Sequence, residues 1–539
     1  MRYTVKIYLI MLLCICSVGS TALGADLKLF KLPLHVNGFL QQESAWGIDP
    51  KYSGKNVSDY STLQLEWEYR LNDTVSLYGI NRLFGDLAYS LHDGDDWFHR
   101  AQTTPTQKSR ARHNLEWEWN SYDQEREIFR ELYCDINTGA FQFRLGRQQV
   151  IWGESDGLRL MDCINPLDQR REFNLRDSDE GYESTRIPLW LLKTTYFPGV
   201  SPFGIRDLQA ELIVNPGRPK ANRLEAYQSE GGIWAADEPN LPWGVRVQTH
   251  DKALHTALEH TEWAMRVLGN WHEWLFTLNA YYGFQQDFYL RPKGAGLVSP
   301  AWDRAFLQLN FDKVYDRRKL IGFTVNRELE HVKFQGTTAP VLRVEALYEF
   351  DKPFQYEGGH VGDMAWSGLN KAYPAYKKNK DQARTMLGFD WPIYIRLLNK
   401  RESFFFSSQF FVFYIFDKDG QYVNAPFYFK DSIKKAMLPP LPPARGGAID
   451  PWRIHRTQKY FTFLVNTSYC NKQIIPEVMY LYDFEEHAHG FKAKLNFAFG
   501  SHWRPELGVM LWFGDHDTGK SFGLFEKNRQ AYLRVKYQF

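Results

Sequence analysis

Apolar and polar side chains alternate, residue by residue, in run after run of this chain. Leu63, Leu65, Trp67, Tyr69 and Leu71 take one face, and Gln64, Glu66, Glu68 and Arg70 take the other. Asn72-Asp73 then turns the chain into Val75 and Leu77. The same period recurs at Leu115, Trp117 and Trp119, at Trp274 to Tyr282, at Leu342 to Phe350 and at Phe491 to Phe499. A period of two sends successive side chains to opposite faces of a strand. Many runs last nine to eleven residues, the length a tilted strand needs to cross a bilayer. Aromatic residues cluster at the run ends, as in the girdles of membrane barrels. A soluble β-sandwich also alternates, but its strands centre on about five or six residues. The pattern therefore predicts an all-β fold, a single transmembrane antiparallel β-barrel. Single-chain bacterial barrels are even-numbered, so the expected count is about 18 strands, within a range of about 16 to 20.

The composition fits this reading. Hydrophobic content is 44%, yet 16% of residues are aromatic and the mean hydropathy is -0.46. Strands that face lipid on one side and water on the other give such an average. Beyond the first residues no window holds 18 uncharged apolar side chains, so helical spans are not expected. The formal charge of +2 and the absence of a basic run interleaved with aromatics give no reason to expect nucleic acid.

At the start, Arg2 and Lys6 precede the apolar run Ile7 to Val18, and small residues follow around Ala22 to Ala25. That order predicts a secretory signal peptide over residues 1–25 and a barrel over 26–539. Cys134, Cys163 and Cys470 remain after the signal, so one disulfide at most can form. Cys134 and Cys163 either bridge the wall to what it surrounds or stay unpaired. Ala531, Leu533, Val535, Tyr537 and Phe539 form one face of a last strand that ends on Phe. Such an ending predicts recognition by the barrel-assembly machinery and a periplasmic C-terminus. Gly514 to Asn528, Glu485 to His489 and Asp417 to Arg456 then face outside, the last with a stiff Leu438 to Pro443 run.

One stretch departs from the pattern. Phe141, Phe143 and Leu145 alternate with Gln142 and Arg144, and the strand then breaks at Gly146 and Gly153 into a charged segment closed by Asn165-Pro166. Gly146 frees Arg147 from pointing into lipid. The segment Asp156 to Cys163 has room for two helical turns at most before the proline. Folded inward as a helix or loop, it would form a lumen insert that carries Arg159, Asp162, Asp168, Arg170 and Arg171 towards the pore axis and sets pore size and charge. The plainer alternative is an insert that braces the wall. Early strands also send Glu66, Glu68, Glu116 and Glu118 inward, and late strands Lys492, Lys494, Arg504, Arg534 and Lys536. Closure should set these charges against each other across the seam, as a structural ion-pair network or as a field that orients a solute.

Motifs of other chemistries lack their context. Gly514 to Ser521 matches the phosphate-loop pattern G-x-x-x-x-G-K-S, but it joins two membrane strands, and Asp515 and Asp517 would repel an anion. Glu485 to His489 and His92 to Asp96 carry metal-ligand residue types without the fixed spacing of a zinc site, and solvated loop charge explains them. No nucleophile elbow or haem-attachment pattern occurs. The expectation is no enzyme, no cofactor and no bound metal.

The run Arg144-Leu145-Gly146-Arg147-Gln148-Gln149, followed by Trp152-Gly153-Glu154, Asp156 to Leu160 and Ile164 to Asp168, resembles a family of uncharacterised bacterial outer-membrane barrels related to the alginate-export and specific-porin groups. The resemblance implies a porin-like barrel in the outer membrane, surrounded by lipid. It also implies association with a periplasmic partner and an inner-membrane exporter of the resistance-nodulation-division type. No substrate carries over. The expected function is selective passage of a small or amphipathic solute. The alternative is a plugged barrel that serves an export or electron-transfer assembly, or a surface receptor. The expected constriction comprises Arg144, Arg147, Gln148, Trp152, Glu154, Asp156, Arg159, Asp162, Asn165 and Asp168.

Overall fold

The computed structural model describes residues 25–29, 32–49, 53–91, 117–119, 129–168, 183–200, 202–222, 245–251, 254, 256–298, 306–332, 338–355, 377–420, 422–423, 453–514 and 521–539. The signal segment, His92 to Asp96, Leu438 to Pro443, Arg170 and Arg171 lie outside these residues.

Twenty strands belong to one sheet. Ala25–Leu29 and Trp117–Trp119 pair on one side only. The other eighteen form the ring: β1 Leu32–Gly47, β2 Asn56–Arg70, β3 Val75–Asp86, β4 Glu131–Thr138, β5 Phe141–Gln148, β6 Leu189–Tyr196, β7 Arg206–Asn215, β8 Glu262–Trp271 and β9 Trp274–Phe284. They continue as β10 Arg317–Glu328, β11 Val341–Gln355, β12 Lys377–Ile393, β13 Phe404–Ile415, β14 Thr457–Asn466, β15 Ile474–Asp483, β16 Ala488–Phe497, β17 Trp503–Phe513 and β18 Gln530–Gln538. Each pairs antiparallel with its neighbours, and β18 closes on β1 from Phe39↔Gln538 to Gly47↔Gln530. Closure leaves the ring of eighteen strands without a free edge, the condition for strands to cross a membrane.

The alternation sorts the faces as the sequence predicts. Leu145, Met265, Leu278 and Leu387, each more than half exposed, point outward and form the apolar exterior. Glu345, Gln409, Tyr532 and Arg534 on the other face are buried inside. At one rim the connections are the shorter ones, from two residues at 139–140 and 272–273 up to twelve at 329–340. At 72–75, Asn72 accepts the backbone N–H groups of Thr74 and Val75, and at 272–273 both His272 and Glu273 have positive φ, as hairpin turns with the twist of their strands require. At the opposite rim the connections 87–130, 149–188, 216–261, 285–316, 356–376 and 416–456 are long. Outer-membrane barrels keep their short turns periplasmic and their long loops external, which puts the described residues 417–420, 453–456, 485–489 and 521–528 on the outer side. Between 215 and 299 the described residues include β8, β9 and two strands of a separate three-stranded sheet, Val245–Asp251 and Tyr289–Val298.

Charges do meet across the seam, with a different partner from the expected glutamates. Arg534 donates from Nε to Glu43 at 2.6 Å, and its Nη1 lies 3.5 Å from Glu506. Lys494 lies 3.4 Å from Glu477 and 3.7 Å from Glu506. Because β1 stands between β18 and β2, the glutamates of β2 are one strand too far away. Glu66 accepts from Gln64 and Tyr78 instead, and Glu68 pairs with Arg70. Arg504 caps the carbonyls of Gly500 and Ser501. Glu116 lies outside the described residues.

Candidate constriction

The insert begins where β5 ends. Gly146 has φ 140°, and a Cβ there would stand 2.2 Å from the carbonyl oxygen of Leu132 on β4. Only glycine fits both constraints. The strand twists at this point, and Arg147, which strict alternation would aim at lipid, is instead buried with its Nε donating to the carbonyl of Arg130. Gln148 donates to the carbonyl of Leu191 at 3.1 Å and ties β5 to β6. The chain then enters the lumen as irregular loop, with no helix between Asp156 and Cys163.

Its route can be followed from wall contact to wall contact. Trp152, 1% exposed, donates its indole N–H to Glu211 on β7 at 2.9 Å, with the Arg266 guanidinium 5.5 Å from its ring centre. Glu345 on β11, fully buried, accepts the backbone N–H of Glu154 at 2.6 Å and that of Met161. Gln409 on β13 accepts the N–H of Asp156 at 3.1 Å. Gly157 sits so close to β14 that a Cβ would be 2.4 Å from Cγ2 of Thr462. On the way back, Gln286 donates to the carbonyls of Cys163 and Ile164. In the ring β13 and β14 lie opposite β5, so the insert spans the bore rather than lying along one side. Its apolar side chains Val150, Trp152, Leu160, Met161 and Ile164 share a core with inward residues of β6 to β17.

Side-chain bonds hold the loop in shape. Asn165 accepts the N–H of Val150 at 2.7 Å and donates to the carbonyls of Gln148 and Ile187. Asp162 accepts from Arg159 at 3.1 Å and from Arg186 at 2.7 Å. The backbone N–H of Asp168 donates to the carbonyl of Thr185. Arg144 makes a two-pronged pair with Asp135 at 2.7 and 2.8 Å and lies over Tyr133. Of the ten residues expected in the constriction, Arg147, Gln148, Trp152, Asp162, Asn165 and Asp168 are buried, and Arg159 is tied into the Asp162 brace. Glu154 meets the wall through its backbone. Asp156, with 64% of its side chain exposed, is the one that stays largely exposed.

Asp156 faces a cluster that sequence reading did not find. Arg343 on β11 donates to Asp156 at 2.7 Å, to the carbonyl of Glu154 at 2.6 Å, to Asp390 on β12 at 2.9 Å and to Ser407 on β13 at 3.2 Å. Gln409 donates to the same Asp156 oxygen at 2.8 Å. Arg343 and Asp156 lie 187 positions apart in the chain. The one signal in the sequence was polar Arg343 and Glu345 alternating with Leu342, Val344 and Ala346, which gives their direction but not their partner. The two carboxylates around one guanidinium leave this gap with a negative balance.

Cys134 and Cys163 are both free. Cys134 pairs with Leu145 on the outward-facing side of β4, whereas Cys163 is buried inside, and the wall separates them. Burial pushes the Cys163 thiol up to about 11. The phosphate-loop look-alike runs into a 3-10 helix, Ser521–Asn528, whose Phe522 stacks on Trp512 and whose Phe525 lies tilted against it, so that both fold inward.

A closed barrel with an apolar exterior and a loop folded through its bore is an integral outer-membrane protein of porin architecture. Residues 49–201, which contain the insert, match the model of a family described as "Protein of unknown function (DUF1302)". No curated protein matches the chain. Solved structures of similar shape include Pseudomonas aeruginosa OpdK with vanillate, at 8% identity and a TM-score of 0.43, covering 94% of this chain and 98% of that one. Acinetobacter baumannii OccAB1 gives 9% and 0.44, with 94% and 96% covered. Salmonella typhi OmpF in complex with daunomycin gives 8% and 0.36, with 94% and 98% covered.

Proposed function

We propose that this protein is a porin-like channel in which residues 149–168 form the constriction, admitting a small or amphipathic solute selectively. The observation that carries the reading is the path of the insert from β5 to the opposite wall at Gln409 and Thr462. A segment that merely braced β5 would stop at its neighbours. This one crosses the bore and leaves Asp156 largely exposed, where it narrows the passage and sets its charge.

Reconstitution in planar bilayers tests this. The intact protein conducts, and deletion of 155–168 raises the conductance, with heat-modifiable electrophoretic mobility showing that both forms are folded. Silence from both folded forms would overturn the channel reading. Co-purification of a periplasmic partner with a silent barrel would favour the assembly role instead.

A further inference from the structure

A second charged group lies in the lumen on the long-loop side of the insert, and its signs do not balance. Arg318 on β10, Lys352 on β11 and Arg384 on β12 all approach one carboxylate, Glu349, at 3.3, 3.8 and 3.5 Å. Gln285 donates to Glu349, and Gln382 accepts from both Lys352 and Arg384. Asp287, exposed and engaged by Asn222, is the next carboxylate that acts on the cluster. Counting both carboxylates, three cations still exceed the anions among the described residues.

The backbone is specialised to assemble this group. Strict alternation from Glu349 would turn Lys352 to the lipid face. The β11–β12 register shifts between Glu349 and Lys352, and Asp351 takes φ 50°. This bulge returns Lys352, three residues on, to the face of Glu349. Nor is the surplus charge sealed in. The Arg384 side chain is 16% exposed and that of Lys352 is 19% exposed. Nε of Arg384 is taken by Gln382 and Nη2 by Glu349, and Nη1 makes no bond with a described residue. Beside it lies the ring of Phe413, 5.3 Å from the guanidinium carbon and itself 5.4 Å from Tyr460.

We propose that Arg384 and Lys352 hold the carboxylate of an organic acid against the Phe413 ring, making this the solute-binding site on the outer side of the constriction. A carboxylate takes up the unmatched positive charge through charge-assisted hydrogen bonds, which are stronger than neutral ones. The aromatic neighbours accept an apolar or aromatic body. Its role as a transport site rests on the channel reading, whereas binding itself does not.

Titration calorimetry of the detergent-solubilised full chain uses benzoate as the probe and benzamide as its uncharged counterpart. Benzoate should bind and benzamide should not. Arg384→Gln should weaken benzoate by about tenfold or more, the loss of one charge-assisted contact, Lys352→Gln should weaken it less, and Arg384→Lys should retain part of the affinity. Equal affinity for the two probes, or benzoate binding unchanged by both glutamine variants, overturns the site. If Arg384→Gln does not fold, the probe comparison and Lys352→Gln decide it. Benzoate binding by a protein silent in bilayers leaves the site standing and removes the channel, while conduction without benzoate binding does the reverse.

Discussion

Glu345 holds the insert in the bore, and its removal should release the loop without opening the wall. Its carboxylate is fully buried and accepts the backbone N–H of Glu154 and of Met161, two points on opposite limbs of the loop. Hydrogen bonds to a charged group contribute about 1.5–3 kcal/mol each. Alanine also removes the cost of burying the charge, so we take the lower end, about 3 kcal/mol for the pair, or about a hundredfold in the ratio of docked to undocked loop. Cys163 reports on docking. In the native protein it is 2% exposed and its thiol is pushed up to about 11 by burial, so a maleimide at neutral pH should react slowly, and faster as pH rises towards that value. With Cys134 and Cys470 replaced by serine, Glu345→Ala should label Cys163 at least tenfold faster, and single-channel records should show a larger or switching conductance. Unchanged labelling together with unchanged conductance in a folded Glu345→Ala barrel would refute the assignment of Glu345 as the anchor.

Three further outcomes follow from the same contacts. Gly157→Ala should disturb the insert, because its Cβ would stand 2.4 Å from Cγ2 of Thr462, and the added Thr462→Ala change should recover part of the native conductance. Arg534→Met leaves Glu43 and Glu506 buried against the seam without their shared cation; breaking such a pair costs about 3–5 kcal/mol, which urea titration in lipid vesicles would read, and Glu43→Gln in the same chain should restore part of it. Asp156→Asn removes the exposed charge of the constriction, so the reversal potential across a KCl gradient should move towards that of chloride, and no movement would show that Asp156 does not face the conducting path.

The barrel could be read from the sequence because its determinant is local. Two neighbouring residues, Leu65 and Glu66, already disagree about lipid and water, and repetition of that disagreement fixes strands, faces and closure. Gly146 and Gly153 marked the insert for an equally local reason, since chain that leaves a strand needs backbone other residues avoid. What the insert does with its charges was not local. Arg147, Gln148, Asp162 and Asn165 looked like pore lining because they are polar, yet Arg147, Gln148 and Asn165 are consumed in satisfying buried backbone groups, and Asp162 in holding Arg159 and Arg186. The groups left to meet a solute come from the far wall, Arg343 and Gln409 below and Arg384 and Lys352 above. They are chosen by where the loop lands and by a bulge at Asp351 that reverses the alternation from which the fold was read. Period two therefore predicts this wall well and its site poorly, because the site depends on contacts across the bore and on the place where the period fails.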